Sequence, residues 1–453
     1  MNEAMPPKPP PKPEASPRKG ARSRPHGTAF SAPARPAELG DGALLDLAQR
    51  QTFRYFWDFA HPTSGLARER SNLAFGYGPE VVTMGGSGFG IMAIMVAVER
   101  RWISRQDAVD RLLKMVIFIY KADSYHGILP HFLNGETGKT VPFTRKDDGG
   151  DLVETSFLIA GLLCARQYFD GDDAKETELR NRINALWHEA EWDWHTRGGS
   201  NVLYWHWSPN NGWSMNHEIR GWNECLITYV LAASSPRHGI DQDVYHGGWA
   251  QSRTFTNGRE FHGVTLPLGP DRGGPLFFAH YSFLGLDPRG LKDSYADYWQ
   301  QNVAHVLINR EHCIRNPHGF KGYGPNCWGL TSSDDHLGYH GHAPDRDLGV
   351  IAPTAALASF PYAPGHCMRA LRHFYHQLGD RIWGEYGFVD AFSETHDWYA
   401  TSYLAIDQGP IVVMIENYRS GLLWNLFMSC PEIQGGLRRL GFEIPHLAEP
   451  AVS

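Results

Sequence analysis

A chain of 453 residues, 42% of them hydrophobic, is long enough to bury a large core, as one big domain or two average ones. A net charge of −7 argues against a nucleic-acid surface, and no window has the length of an uninterrupted apolar helix, so no membrane insertion is expected. Six scattered cysteines without a Cys-x-x-Cys pair predict neither a disulfide framework nor a zinc site.

Residues 1–38 form a Pro-rich basic tail, with Pro6-Pro7-Lys8-Pro9-Pro10-Pro11-Lys12-Pro13 followed by Arg18, Lys19, Arg22 and Arg24. So little apolar surface cannot offset ordering entropy, so the tail is expected to be disordered, with a polybasic or polyproline docking arm as the alternative. The first residues lack the apolar stretch of an export signal. The cytoplasm is therefore the default compartment, and a misassigned start would allow the periplasm.

Residues 39–453 read as one helical domain. Apolar residues recur at helical spacing near 43–60, 88–101, 105–121, 151–169, 175–193 and 216–234, and again near 275–286, 291–310, 346–359, 363–379, 409–429 and 431–440. Strand alternation is scarce; 199–207 and 248–268 are the best hairpin candidates. Short links such as 102–104 alternate with long ones rich in Gly, Asn, Asp, Trp and His, such as 122–150, 194–215 and 311–345. This alternation predicts an all-α (α/α)6 barrel, a double ring with tight turns on one rim and elaborated loops around a cleft on the other. Several apolar helices are expected to start at a small or acidic cluster: Ser87-Gly88-Phe89-Gly90, Gly150-Asp151, Asn216-His217-Glu218, Asp347-Leu348-Gly349 and Asp407-Gln408-Gly409-Pro410. Pro410 would sit in a first turn capped by Asp407 or Gln408.

The acids to weigh are Asp147, Asp148, Asp151, Glu154, Glu218, Glu224, Asp334, Asp335, Asp390, Glu394, Asp397, Asp407 and Glu416. Asp151 and Glu154 fall on one face of a helical turn, a pattern that is also a capping signature. Glu224 is expected inside an apolar helix, where desolvation would raise its pKa and suit it to general-acid work; the alternative is a buried ion pair with Arg220. Glycosidic hydrolysis needs such a carboxyl and a second one to direct water or attack carbon. Trp205, Trp207, Trp213, Trp222, Asn223, Trp398 and Tyr403 interleave with these acids, and flat rings with neutral donors suit uncharged, hydroxyl-rich ligands. Gly85-Gly86-Ser87-Gly88-Phe89-Gly90 has the look of a phosphate cradle but lacks a following Lys and a preceding strand, which rejects nucleotide binding. His336, His340 and His342 cluster with Asp334, Asp335 and Asp345 outside any metal-binding helical motif, so no metal is assigned.

Four motifs, Gly150–Phe157 (Gly-Asp-Leu-Val-Glu-Thr-Ser-Phe), Gly221-Trp222-Asn223-Glu224, Ile351–Pro364 and Ile406–Trp424 with its Asp-Gln-Gly-Pro, resemble the glucoamylase-like domain of glycoside hydrolase family 144, which contains bacterial endo-β-1,2-glucanases. The likeness runs over about residues 44–442. It implies an (α/α)6 barrel that hydrolyses β-1,2-glucan to sophoro-oligosaccharides with inversion, without a cofactor. It also implies Asp151, Glu154 and Glu224 as essential acids, with Glu224 the general acid; Asp407 is a further candidate for the base. Two alternatives remain open at this point: a transglycosylase or cyclising enzyme, and a non-catalytic glucan-binding protein. A polysaccharide partner and a monomer or weak oligomer complete the expectation.

Overall fold

The computed structural model describes residues 35, 36 and 38–444. The tail expected at 1–38 lies almost wholly outside the described residues.

Thirteen α-helices follow one another among the described residues: α1 (Asp41–Trp57), α2 (Met84–Glu99), α3 (Arg105–Lys121), α4 (Leu152–Tyr168), α5 (Ala174–Glu189), α6 (Leu226–Ser234), α7 (Tyr298–Arg315), α8 (Pro353–Leu357), α9 (Pro364–Arg372), α10 (Gly379–Ile382), α11 (Ala405–Arg419), α12 (Leu422–Met428) and α13 (Pro431–Arg439). Two patterns of burial separate them. The helices α2, α4, α6, α8 and α11 are buried along most of their length. By contrast α1, α3, α5 and α9 bury one stripe, as in α5 with Leu179, Ile183 and Trp187. The buried set forms the inner layer: α4 packs against α2 and α6, and α11 against α2 and α8.

Between α6 and α8 the sequence predicted one helix over 275–286. The structure has two short 3₁₀ turns there, Leu276–Ala279 and Ser282–Leu284. Pro275 and Gly285 bracket a run too short to propagate an α-helix. Side chains fasten it instead: His280 Nε2 lies 2.9 Å from Ser359 Oγ, and the Tyr362 hydroxyl donates to the Ala279 carbonyl at 3.1 Å.

The glycine run in α2 has a steric reason. A Cβ on Gly88 would lie 2.2 Å from the Phe157 carbonyl oxygen, and one on Gly161 would lie 2.3 Å from the Gly88 carbonyl oxygen. The backbones of α2 and α4 therefore touch. Gly90 and Gly409 make similar room for the rings of Phe56 and Phe89.

Several helix starts differ from the expectation. α2 begins at Met84, ahead of Ser87. Asn216-His217-Glu218 and Asp347-Leu348-Gly349 are loop segments, with Asn216 at φ 47° and Gly349 at φ 74°. α11 begins at Ala405, so Pro410 lies inside it and neither Asp407 nor Gln408 caps it. The Ala405 N–H is satisfied across the chain by the Glu69 carbonyl at 3.0 Å, a partner that local sequence does not contain. The helix predicted over 409–429 breaks at Gly421, φ 72°. Strands are short and antiparallel. Thr256–Phe261 and Val264–Leu268 form the hairpin expected within 248–268. The stretch 199–207 folds no hairpin of its own; His206–Trp207 pairs with Gly150–Asp151.

The α2–α4 contact generates a stability prediction. By helix propensity alone, Gly88→Ala should stabilise by about 1 kcal/mol. Because its Cβ would meet backbone, we expect a net loss of about 1–3 kcal/mol, read as a lower Tm and a lower denaturation midpoint in urea.

Candidate active site

Asp151 ends the strand that pairs with His206–Trp207 and is the N-cap of α4. Its Oδ1 accepts from the N–H groups of Val153 and Glu154, both at 3.0 Å, as the capping reading requires. Its Oδ2 accepts from His131 Nδ1 at 2.9 Å. Glu154, one turn on, aims Oε2 at the Gly85 N–H at 2.8 Å and the Thr83 hydroxyl at 3.3 Å. Its Oε1 lies 3.9 Å from His131 Nε2. Asp151 thus caps α4, and His131 bridges the two carboxylates.

These contacts set the charges. Burial works against ionising Asp151, but the hydrogen bond and charge of His131 and the Glu154 N–H hold its carboxyl below the usual range. Burial dominates at Glu154 and pushes its pKa up. At His131, burial pulls down, yet Glu154 and Asp151 outweigh it and raise the imidazole to about 10.

Glu224 lies in the loop just before α6, not two turns into a helix. Arg220 pairs with Glu218 rather than with Glu224. The segment is fixed by backbone: the Ser282 hydroxyl donates to the Glu224 carbonyl, and Asn223 Oδ1 accepts from the Cys225 N–H at 2.9 Å. Among the described residues, no Lys, Arg or His forms an ion pair with the Glu224 carboxyl. Desolvation, with Glu154 and Asp151 adding negative potential, raises it to about 7.

A second carboxyl group gathers around α11. Asp407 and Asp390 are buried, and Asp407 Oδ2 and Asp390 Oδ1 lack any ordinary donor. The two carboxyls influence each other strongly: each lies among buried acids, and neither of these two oxygens has a hydrogen-bond partner among the described residues. The other Asp390 oxygen accepts from the Asp334 N–H at 2.7 Å. Arg70, whose charge reaches Asp407, is itself ion-paired to Glu69 at 2.9 Å and Asp334 at 3.0 Å. Burial first, and then the negative charges of Asp407 and Asp334, push Asp390 well above the carboxylate range. Burial raises Asp407 itself to about 7.

Tyr281 links the two groups. Its ring stacks on Phe277 at 4.9 Å and touches Phe89 and Phe157, and burial, then Asp407, Tyr339, Glu224 and Glu154, push its hydroxyl well up. Sequence reasoning missed Tyr281 and His131. His131 was findable only as a polar residue among Leu129, Phe132 and Leu133, and Tyr281 carried no signal.

The aromatic residues expected to hold sugar divide. Trp205 stacks on His217 at 4.9 Å and its carbonyl accepts from the Leu152 N–H, beside Asp151. Trp207 and Trp213 join the exposed Trp194 and His126 in an aromatic wall, with Trp194–Trp207 centroids 5.9 Å apart. Phe143, also exposed, stacks on His131 at 4.4 Å. Trp398 lies on a two-residue strand paired with Phe392–Ser393. Trp222, only 4% exposed, packs instead among Trp249, Phe255, Phe283 and Tyr298 in the core. Tyr403 is buried against Tyr386. Asn223 spends its side-chain oxygen on the turn before α6. In the hairpin Ser332–Gly341, Asp335 Oδ2 accepts from His340 Nδ1 at 2.6 Å and lies 3.4 Å from His342 Nε2.

A helical layer whose loops bring paired carboxyls and aromatic rings together defines a carbohydrate-active (α/α) protein. The glucoamylase family model, Glycoamylase, matches residues 216–431. An endo-β-1,2-glucanase from Chitinophaga pinensis, solved with sophorotriose and glucose, is 56% identical, covers 90% of this chain and 100% of that one, and superposes with a TM-score of 0.88. The exo β-1,2-glucooligosaccharide sophorohydrolase of Parabacteroides distasonis is 47% identical over 89% of this chain, which spans 58% of that relative's length. An endo-β-1,2-glucanase from Talaromyces funiculosus, at 11% identity and a TM-score of 0.63, shares the fold. The chain belongs to this glucoamylase-like family, of the glycoside hydrolase family 144 type, with an (α/α)6 fold.

The His131 bridge has a definite sign. A folded pKa raised from 6.5 to about 10 contributes stability that is full below pH 6.5 and is lost as pH rises through 10. His131→Asn should therefore lose most stability relative to wild type below pH 6.5 and progressively less towards pH 10 in urea titrations.

Proposed function

We propose that this chain is a glycoside hydrolase that cleaves β-1,2-glucan to sophoro-oligosaccharides, acting within the chain and with inversion. The observation that carries it is Glu224: a desolvated carboxyl without an ion-pair partner among the described residues, raised to about 7 by burial and by the negative charges of Glu154 and Asp151. Such a group is protonated in a useful fraction near neutral pH and can give its proton to a leaving glycosidic oxygen, directly or through a substrate hydroxyl. The full-length match to the Chitinophaga endo-glucanase supports action within the chain.

Asp407 fits the base. Its carboxylate is buried and makes no hydrogen bond to a described side chain, which leaves it to accept a proton from water. Asp151 and Glu154 are more deeply committed: three of their four oxygens are held by backbone groups, Thr83 or His131. Their role is to hold His131 and to add the negative potential that favours a protonated Glu224 and an oxocarbenium-like transition state. Trp205, Trp207, Trp213 and Trp194 offer stacking faces, and Trp398 is a further candidate. Trp222, Asn223 and Tyr403 support the site from within.

Glu224→Gln should lower kcat on linear β-1,2-glucan by about 10²–10⁴-fold, while oligosaccharide binding and Tm stay near wild type; near-normal release of reducing ends would overturn the assignment. With Glu224 needed protonated, kcat/KM of wild type should fall as pH rises past about 7. Product analysis separates the readings: a rapid drop in viscosity with α-anomeric products fits inverting endo action, whereas longer or cyclic products would mark transfer, and binding without reducing ends a lectin-like role.

A further inference from the structure

Away from the carboxyl groups, three potential metal ligands converge from separate segments. Cys327 Sγ, a ring nitrogen of His373 and a carboxylate oxygen of Glu394 all lie within 4.8 Å of one another. None of the three side chains hydrogen-bonds to another described group, and His373 Nε2 is buried without any partner. Cys327 is 3% exposed. A buried imidazole nitrogen, a buried thiol and a carboxylate within reach of each other yet unbonded are unusual, because buried polar atoms are normally satisfied.

Local backbone presents these groups. Cys327 closes a turn in which Gly324 and Cys327 exchange N–H···O bonds at 3.0 and 3.2 Å. His373 opens a π-helical turn, His373–Gln377, that widens the end of α9; such bulges recur at functional positions. Glu394 follows the strand Phe392–Ser393, and a Cβ on Gly322 would lie 2.0 Å from its Oε1, so only glycine leaves the carboxylate its place. The Lys321 N–H, donating to Thr395 Oγ1 at 2.8 Å, clips the same two loops together.

We propose that Cys327, His373 and Glu394 bind one zinc ion, or a similarly borderline-soft divalent cation, as a structural clip. Thiolate, imidazole and carboxylate are the zinc donor set, and a thiolate disfavours calcium and magnesium. Thiolate and carboxylate together cancel the ion's two charges, which suits a largely enclosed site. On binding, the thiol proton leaves to solvent, the Cys327 sulfur and the neutral His373 nitrogen each donate a lone pair, and water completes four-coordination. The clip would join the 316–328 loop, the end of α9 and the segment that carries Asp390 four residues before Glu394.

The test uses the full chain, stripped with a chelator and titrated with Co²⁺ and then Zn²⁺. One equivalent of Co²⁺ should produce a sulfur-to-cobalt charge-transfer band in the near ultraviolet, and Zn²⁺ should abolish it while raising Tm. Cys327→Ser, shown folded by circular dichroism, should lose the band, and Cys313→Ser should keep it. His373→Gln should weaken Zn²⁺ binding by at least the roughly tenfold that loss of a supporting ligand contact costs. The other donor clusters, His61–Glu80–Glu136 and His131–Asp147–Asp151, contain no thiol and cannot imitate the band. Absence of the band, or its survival in Cys327→Ser, would overturn the proposal whatever the outcome with glucan.

Discussion

The contact between the backbones of α2 and α4 is the constraint from which the site follows. Gly88 and Gly161 let the two helices approach until main chain meets main chain. That approach brings the start of α2 over the first turn of α4, where the Gly85 N–H reaches Glu154. A side chain at Gly85 would occupy the position of the Glu154 carboxylate itself, 2.6 Å from Oε2. The glycine run that superficially suggested a phosphate cradle thus serves a carboxylate by leaving it space and one backbone donor.

The carboxyls are held in two different electrostatic settings. Around α4, a single histidine compensates two acids and holds Asp151 ionised. Around α11, Arg70 is ion-paired to Glu69 and Asp334, and burial among like charges pushes Asp390 and Asp407 above the usual carboxylate range. Glu224 belongs to neither group; desolvation raises it first, and the negative charges of Glu154 and Asp151 add to that shift.

Sequence was informative where chemistry is local. The helical periodicity gave most of the helices within a few residues, and Asp151 with Glu154 was readable because a cap and its turn lie side by side in the chain. Glu224 was recognisable by motif, but its place was misread: the apolar run after Cys225 is helical and the Gly221–Cys225 segment before it is not, because its turn is set by Asn223 and by Ser282 from a distant segment. The same failure explains α11, whose first N–H bonds to Glu69. His131, Tyr281 and the Asp390–Asp407 pair depend on residues far apart in sequence, and no spacing rule reaches them. Trp222 was read as a sugar platform because aromatic composition cannot distinguish a core ring from a cleft ring.

The inner layer closes where α11 meets α1 and α2. Arg100 forks onto Glu416 with two contacts of 2.8 Å, and Gln49 reaches Glu416 at 3.3 Å and the Val412 carbonyl at 3.0 Å. The strand-like bridge of Arg70 to Leu404 and the Ser71 N–H on the Tyr403 carbonyl extend the same seam to the cleft. These partners lie more than three hundred residues apart, so the contact order of the seam is among the highest the chain allows. During synthesis the apolar flanks of α1 and α2 remain without their final neighbour until α11 has left the ribosome. Arg70, which must end beside Asp334, waits almost as long. The completed cleft is thus a late product of chain growth, and the interval before closure is when this protein exposes most apolar surface to chaperones or to aggregation.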